Sequence, residues 1–399
     1  MAEAQLPESS EPVVVLGIEG VRRIGSGHPW LFPDHIVQAS TCDGEVVRLE
    51  GPPGRPRGMA TYSRGSRIPL RIVQRDGGDP LPDDWWVQRL DGAIARRVDS
   101  LAVGASACRW VHAEADGLPG LVVDRFDDVA VVQAGCRWAD SITTALAEHL
   151  VAAHGMTGVL ARHDGPFRKL EGLDEEVRVL AGEVREDVVW KQGAISRRVA
   201  PWTGQKTGTY LDQRENQPWA AAVLPQGRCL DAFCNDGGFT LHMAAAGSEV
   251  VALDSSQPAL ERLAALAREN DLEQRIATQD VNVFHDLRER VAARETFDSI
   301  VLDPPALAKR KPDRVRALRA YKELNLRALR LLRPGGRLVT CSCSFHIGRE
   351  EFLGTIRDAA ADARAQVVVR DVRAAAACHP RLVTFPESDY LKVVLVEVI

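Results

Sequence analysis

The sequence predicts an α/β protein: a doubly wound parallel sheet over residues 200–399, preceded by a small β-rich domain and a small central α+β domain. Three observations predict it. After residue 200 the short apolar runs RCLDAFC, EVVALD, FDSIVLDPP and GRLVTCSCS each end in polar or glycine-rich sequence, with helical stretches between them. Strands alternating with helices argue for a parallel sheet covered on both faces. Residues 13–78 instead hold short apolar runs (VVVLGI, GEVVRLE, RIPLRIV) broken by clusters such as GPPGRPRG, the pattern of a small β domain. Residues 88–195 mix strand-like GLVVDRF, VAVVQAG and EVRVLAG with a helix near 140–154.

Taken in order, residues 1–12 read as a disordered tail, and GGDPLPDDWW as a linker that leads into the helix VQRLDGAIARRVDSL. Between Arg48 and Arg75 lie seven arginines and one acid, Glu50. Such a stripe is either a solvated face or a surface that contacts phosphates. In the C-terminal half the strands read as ending near Leu230, at Asp254, before Asp303 and near Cys343, with Pro334, Gly335 and Gly336 as a turn. Ligands of such sheets bind beyond the carboxyl ends of the strands.

A chain of 399 residues is long enough for two or three domains, and 45% hydrophobic with 26% charged residues is ordinary for a globular protein. The net charge of −5 means that any nucleic-acid surface must come from local clusters. Eight cysteines without a C-x-x-C pair read as mostly reduced core residues. The start MAEAQLPESSEP has no basic or apolar leader pattern, and no apolar run is long enough to span a bilayer, so a cytoplasmic location without membrane contact is expected.

In CLDAFCNDGGFTLHMAAAG a strand gives way to Asp231, then to a turn with Phe233, Asp236, Gly237 and Gly238, then to a helix. Glycines there let backbone approach a ligand closely. Asp254, ending the next strand, suits a pair of ribose hydroxyls, and Asp280 in TQDVNVF suits an adenine amino group. The dinucleotide spacing G-x-G-x-x-G is absent, which disfavours NAD. The ordered acids on a Rossmann-like domain resemble the cofactor site of class I methyltransferases, whose donor is S-adenosylmethionine. Asp236 or the backbone around Gly237 would hold its methionine end.

FDSIVLDPPALAK puts Asp303 on a loop stiffened by Pro304 and Pro305. The next residue is Ala306, so that position offers no aromatic ring to stack on an amine substrate. Cys343 lies at the end of RLVTCSCS, at the same sheet edge as Asp303. A thiolate added to C6 of a cytosine makes the unreactive C5 enamine-like, which needs a cysteine and an acid at the N3 edge. Cys343 and Asp303 are the catalytic candidates, with Cys341 as reserve nucleophile. A zinc site from Cys341, Cys343, Cys378 and His379 is disfavoured by its spacing, and no metal is expected.

Several motifs then fall in one order: GHPWLFPDHI, DGLPGLVVDRF, RHDGPFRKLEGL, GQKTGTYLDQREN, DAFCNDGGF, LDPPALAK, YKELNLRALRLLRPGG, SCS and FPESDYLK. Across nearly its whole length the chain resembles the bacterial family of ribosomal RNA large subunit 5-methylcytosine methyltransferases. The resemblance implies an N-terminal PUA domain that binds RNA, S-adenosylmethionine as donor, cytosine C5 of 23S ribosomal RNA as acceptor, and Cys343 as nucleophile. It also implies that Gln205, Lys206, Thr207, Tyr210, Asp212 and Arg214 sit at the active-site mouth. Gln205, Lys206, Thr207 and Asp303 are then expected near the cofactor, and Tyr210, Arg214, Lys309 and Arg310 near the RNA. A homodimer is compatible with this reading.

Between Lys309 and Lys322 seven basic residues face one acid, Asp313, directly after the Asp303 loop. That segment would attract a phosphate backbone and position the base. The alternatives are a methyltransferase acting on guanine or an exocyclic amine, and a non-catalytic RNA-binding or ribosome-assembly protein.

Overall fold

The computed structural model describes residues 12–39, 41–77, 80–98, 104–165, 167–204 and 206–399. The tail read as disordered lies outside these residues except for Pro12, and Gln205 lies outside them too. The chain divides into two units: residues 1–190, 198–210 and 378–388 form one, and residues 191–197, 211–377 and 389–399 the other.

The first unit carries two sheets. One is six-stranded, in the order Trp30–Leu31, Leu70–Arg75, Arg55–Tyr62, Val46–Gly51, Val13–Leu16, Ile36–Gln38. Alternating Val14, Leu16, Val47 and Leu49 point to one fully buried face, as the period-two pattern requires. The other is five-stranded: Glu176–Gly182, Gly158–His163, Val129–Ala134, Leu121–Phe126, Ala107–His112. Helices Trp85–Val98 and Thr143–His154 pack on it. The first of these helices begins inside the stretch read as a linker, because Trp85 is buried in a stack on Trp138, with ring centroids 4.9 Å apart.

The arginine stripe does not act as one surface. Arg71 is buried, with Glu114 at 2.8 Å and Glu171 at 3.1 Å. Burial alone would disfavour its cation, but the two carboxylates more than compensate and raise its pKa. Arg75 donates to the carbonyls of Ile24 and Gly27. Arg55, Arg64 and Arg67 are the exposed members.

The second unit is built on a seven-stranded sheet, numbered here within that sheet: β1 (Arg228–Ala232), β2 (Glu249–Asp254), β3 (Ile276–Asp280), β4 (Phe297–Leu302), β5 (Leu332–Ser342), β6 (Val367–Arg373) and β7 (Lys392–Val398). The order is β3-β2-β1-β4-β5-β7-β6, with β1 to β5 parallel and β7 antiparallel to both neighbours. Apolar clusters line both faces, one around Leu230, Ile300 and Leu338, the other around Cys229, Val301 and Val339. Neighbours in sequence thus point to opposite layers, as in a sheet buried on both sides. The order reverses at β1, so the crevice beyond β1 and β4 is the expected ligand site.

Two boundaries differ from the sequence expectation. β1 runs two residues past Leu230, and Asp231 sits inside it opposite Ala252 and Val301, fully buried. The Pro334-Gly335-Gly336 segment is a bulge within β5: Phe297 pairs with Leu332 and Ser299 with Arg337, so extra residues loop out between them. Gly335 turns there with φ +78°. Six of the eight cysteines are buried, while Cys42 and Cys343 are partly exposed. No helix among the described residues is long and apolar enough to cross a membrane.

Candidate active site

The site grows from the carboxyl ends of β1, β2, β4 and β5. Beyond β1 the backbone turns sharply, with Phe233 at φ 68°, Asn235 at 48° and Gly237 at 82°. Left-handed residues in such numbers are costly unless the surroundings fix them. Here they are fixed: the Phe233 and Cys234 amides donate to the Leu253 carbonyl at 2.9 and 3.0 Å, and the Asn235 amide to Asp254 Oδ2 at 2.9 Å. Gly237 is required twice, since a Cβ there would also lie 2.1 Å from Leu263 Cδ1. The helix Gly238–Ala245 then starts against Gln217, whose amide a Cβ on Gly238 would strike at 2.1 Å.

The acids have distinct environments. Asp254 is oriented from both sides, with the Ser256 amide on Oδ1 at 2.9 Å and Asn235 on Oδ2. Asp280 is exposed and pairs with it in register across β2 and β3. Asp236 is engaged by the buried Arg197 at 2.9 Å, a partner that sequence reasoning missed. Asp231 Oδ2 accepts the Thr240 hydroxyl at 2.5 Å, while Oδ1 is buried with no hydrogen-bond partner. Burial pushes the Asp231 carboxyl up to about 7, and the Thr240 bonds only partly oppose this.

Asp303 follows β4, its amide donating to the Ala232 carbonyl at 3.3 Å. Gln213 Nε2 donates to Asp303 Oδ2 at 3.0 Å. The amide orientation is fixed by a relay: Gln213 Oε1 accepts from Asn216 Nδ2 at 2.8 Å, and Asn216 Oδ1 accepts from Arg373 Nε at 3.0 Å. Gln213 is nearly fully buried, and nothing local in GQKTGTYLDQREN sets it apart from its neighbours.

Cys343 comes one residue after β5, partly exposed, with Sγ 3.9 Å from the Pro304 carbonyl of the Asp303 loop. The thiol is thus beside that loop, on a residue that is partly exposed. Its neighbour Ser344 is pinned three ways. Ser344 Oγ accepts the Ala308 amide at 3.0 Å and lies 2.9 Å from the Tyr321 hydroxyl, and the Ser344 carbonyl accepts Lys392 Nζ at 2.8 Å. Lys392 is 1% exposed, and its ammonium is pushed down to about 8 by burial, an effect that the nearby Cys343 charge opposes. A lysine amid the apolar run YLKVVLVEVI was the available signal for it. Cys341, by contrast, is fully buried, and burial followed by the Asp303 charge pushes its thiol far up.

Asp231, Phe233, Asp236, Gly237, Gly238, Asp254, Asp280, Asp303 and Cys343 all belong to this one unit. Arg214 belongs to it too, buried with Nη2 3.0 Å from Glu215. Asp212 does likewise, accepting the Tyr390 hydroxyl at 2.7 Å. Lys206, Thr207 and Tyr210 belong to the other unit. There Thr207 is fully buried and donates to Asp124 at 2.5 Å, and Lys206 Nζ sits 4.3 Å from the Tyr210 ring centroid. Lys309 and Arg310 are exposed ahead of the helix Arg314–Leu331. Arg310 lies 3.5 Å from Asp313, Arg314 pairs with Glu351, and Lys322 lies 2.7 Å from Asp362. Among the described residues, Lys309, Lys311, Arg316 and Arg319 have no ion-pair partner.

The chain is similar to known proteins along most of its length. The family model of a methyltransferase domain matches residues 225–378, and that of a PUA-like domain matches residues 14–75. Ribosomal RNA large subunit methyltransferase I of Photobacterium profundum is 36% identical over 373 residues, covering 92% of this chain and 94% of that protein. Its counterpart in Aeromonas hydrophila is 35% identical over 382 residues, with 92% and 94% covered. Among solved structures, SMU.776, a candidate methyltransferase complexed with SAH, superposes with a TM-score of 0.82 at 17% identity, over 97% of this chain and 100% of that one. A candidate SAM-dependent methyltransferase from Streptococcus mutans gives 0.80 at 17% identity with the same coverage. At that identity these structures establish the fold.

Proposed function

We propose, for a chain that belongs to the ribosomal RNA large subunit methyltransferase I family, that it methylates C5 of a cytosine in 23S ribosomal RNA with S-adenosylmethionine as donor. The observation that carries the reading is Cys343: a partly exposed thiol at the end of β5, beside the Pro304 carbonyl of the Asp303 loop. The residues present also fit the donor. Asp231 Oδ1 is a buried acceptor with no partner, suited to the amino group of the methionine portion, and Asp254 is held at the end of β2 where ribose hydroxyls would reach it. When bound, S-adenosylmethionine supplies an electrophilic methyl group.

The chain's own groups do the rest. The Cys343 thiolate adds to C6 of a cytosine drawn out of its stack, while Asp303, as its carboxylic acid, donates a proton to N3, where the electron pair arrives. C5, now enamine-like, takes the methyl group; a water molecule then accepts the C5 proton, the C6–S bond breaks to release the thiolate, and N3 returns its proton to Asp303. Lys309, Lys311, Arg316 and Arg319 offer exposed cations to the RNA backbone, and the PUA-like domain a second RNA contact.

The test is nucleoside mass analysis of 23S ribosomal RNA incubated with the protein and donor. The expected product is 5-methylcytidine. With 5-fluorocytidine in the RNA, the step that removes the C5 proton is blocked, and a stable adduct mapping to Cys343 is expected. A methylated guanine or an N-methylated base would overturn the reading.

Asp231 adds a prediction about pH. Its carboxyl, near 7 in the free protein, must be ionised to accept an ammonium. Below that value, binding must first release a proton. Donor affinity by calorimetry should therefore be flat above pH 8 and about tenfold weaker at pH 6. Asp231→Asn should bind more weakly at every pH and lose the pH dependence. A flat profile in the unaltered protein would remove Asp231 from this role.

A further inference from the structure

A second site lies away from the sheet edge, in the N-terminal unit. Helix Trp85–Val98 presents Asp91, and helix Thr143–His154 presents His149 and, at its last residue, His154. Both imidazoles converge on one atom: His149 Nε2 and His154 Nε2 each lie 2.8 Å from Asp91 Oδ1. The three candidate ligand atoms all fall within 4.8 Å of one another. Trp86 and Trp110 wall the cluster, with ring centroids 6.4 Å from His149 and 5.7 Å from His154.

We propose that Asp91, His149 and His154 form a binding site for a late first-row divalent cation, zinc above all, that staples the two helices together. Two imidazoles and one carboxylate are the donor set that zinc accepts in a three-ligand site, and it disfavours calcium or magnesium, which seek oxygen. The three ligand atoms already lie within 4.8 Å of one another, so the ion enters beside Asp91 Oδ1, the atom that both Nε2 atoms now face. The ion takes the Nε2 lone pairs, so each ring carries its proton on Nδ1 instead. Neither Nδ1 is engaged among the described residues, so nothing resists that change of tautomer. Asp91 is 46% exposed in its side chain, which gives the ion a path in and leaves room for water as a further ligand.

The test uses the full chain, stripped with chelator and titrated with zinc chloride by calorimetry, with nickel quenching of tryptophan fluorescence as a local reporter. Saturable binding of about one equivalent is expected, with a rise in Tm of about 2–4 °C at saturating zinc. Asp91→Asn, which keeps the side-chain shape, and the His149→Gln/His154→Gln double variant should each bind at least about tenfold more weakly and lose the Tm rise. Cys42→Ala should keep both, which separates this site from that partly exposed cysteine. Absence of saturable binding, or binding that survives in Asp91→Asn and in the double variant, overturns the proposal.

Discussion

Cys343→Ala should lose methyl transfer by at least about 10⁴-fold, the scale on which removal of a covalent nucleophile acts. Donor binding should persist, because Asp231, Asp254 and the turn at Gly237 lie on β1 and β2 and keep their own hydrogen bonds. The neighbouring thiol is the control. Cys341 is fully buried, and burial together with the Asp303 charge disfavours its thiolate, so Cys341→Ala should keep activity within about threefold and cost about 1–2 kcal/mol of stability. Lys392 marks a further difference between the two thiols: its Nζ is held on the carbonyl of Ser344, next to Cys343, and the Cys343 charge favours the buried ammonium. Single-turnover transfer with labelled donor, alongside donor affinity, checks the pair. A Cys343→Ala protein that transfers methyl at an unaltered rate would end the covalent mechanism.

The strands that carry this site are legible in sequence because each is a short apolar run ending at a polar residue, a pattern that survives without tertiary information. The turn after β1 is legible from Gly237 and Gly238 for the same local reason. What escapes is set by long-range pairing. Lys392 reaches the Cys343 region only because β7 runs antiparallel to β5, with Lys392 opposite Ser342. Gln213 meets Asp303 from ninety positions earlier in the chain. Arg71 reads as one cation of a basic stripe until Glu114 and Glu171 close around it. The Asp231 case is subtler: an acid after an apolar run reads as a strand end, yet pairing on both sides carries β1 through it and buries it. Local pattern locates elements, while partner identity, and with it each ionisable group's charge state, waits for the fold.

Asp303→Asn should lower the transfer rate by about 10²–10⁴-fold, the usual range for a removed general acid or base. Donor affinity should change little. The substitution keeps the size of the side chain, so a loss reports charge and proton chemistry and not packing. The Gln213 contact also fixes which way the new amide can face. Gln213 cannot turn its oxygen away, because Asn216 donates to that oxygen and Arg373 fixes Asn216, so Nε2 remains a donor facing position 303. An asparagine can still accept from it with its own oxygen, but its nitrogen must then face the base. Gln213→Leu breaks the same contact from the other side and leaves the carboxylate free to rotate; a loss of about tenfold is expected, smaller because the reacting group survives. The discriminating readout is the 5-fluorocytidine adduct. If Asp303 stabilises charge at N3 during thiolate addition, adduct formation in Asp303→Asn slows in parallel with transfer. If Asp303 only shapes the loop that carries Pro304, the adduct still forms at the normal rate and the assignment fails.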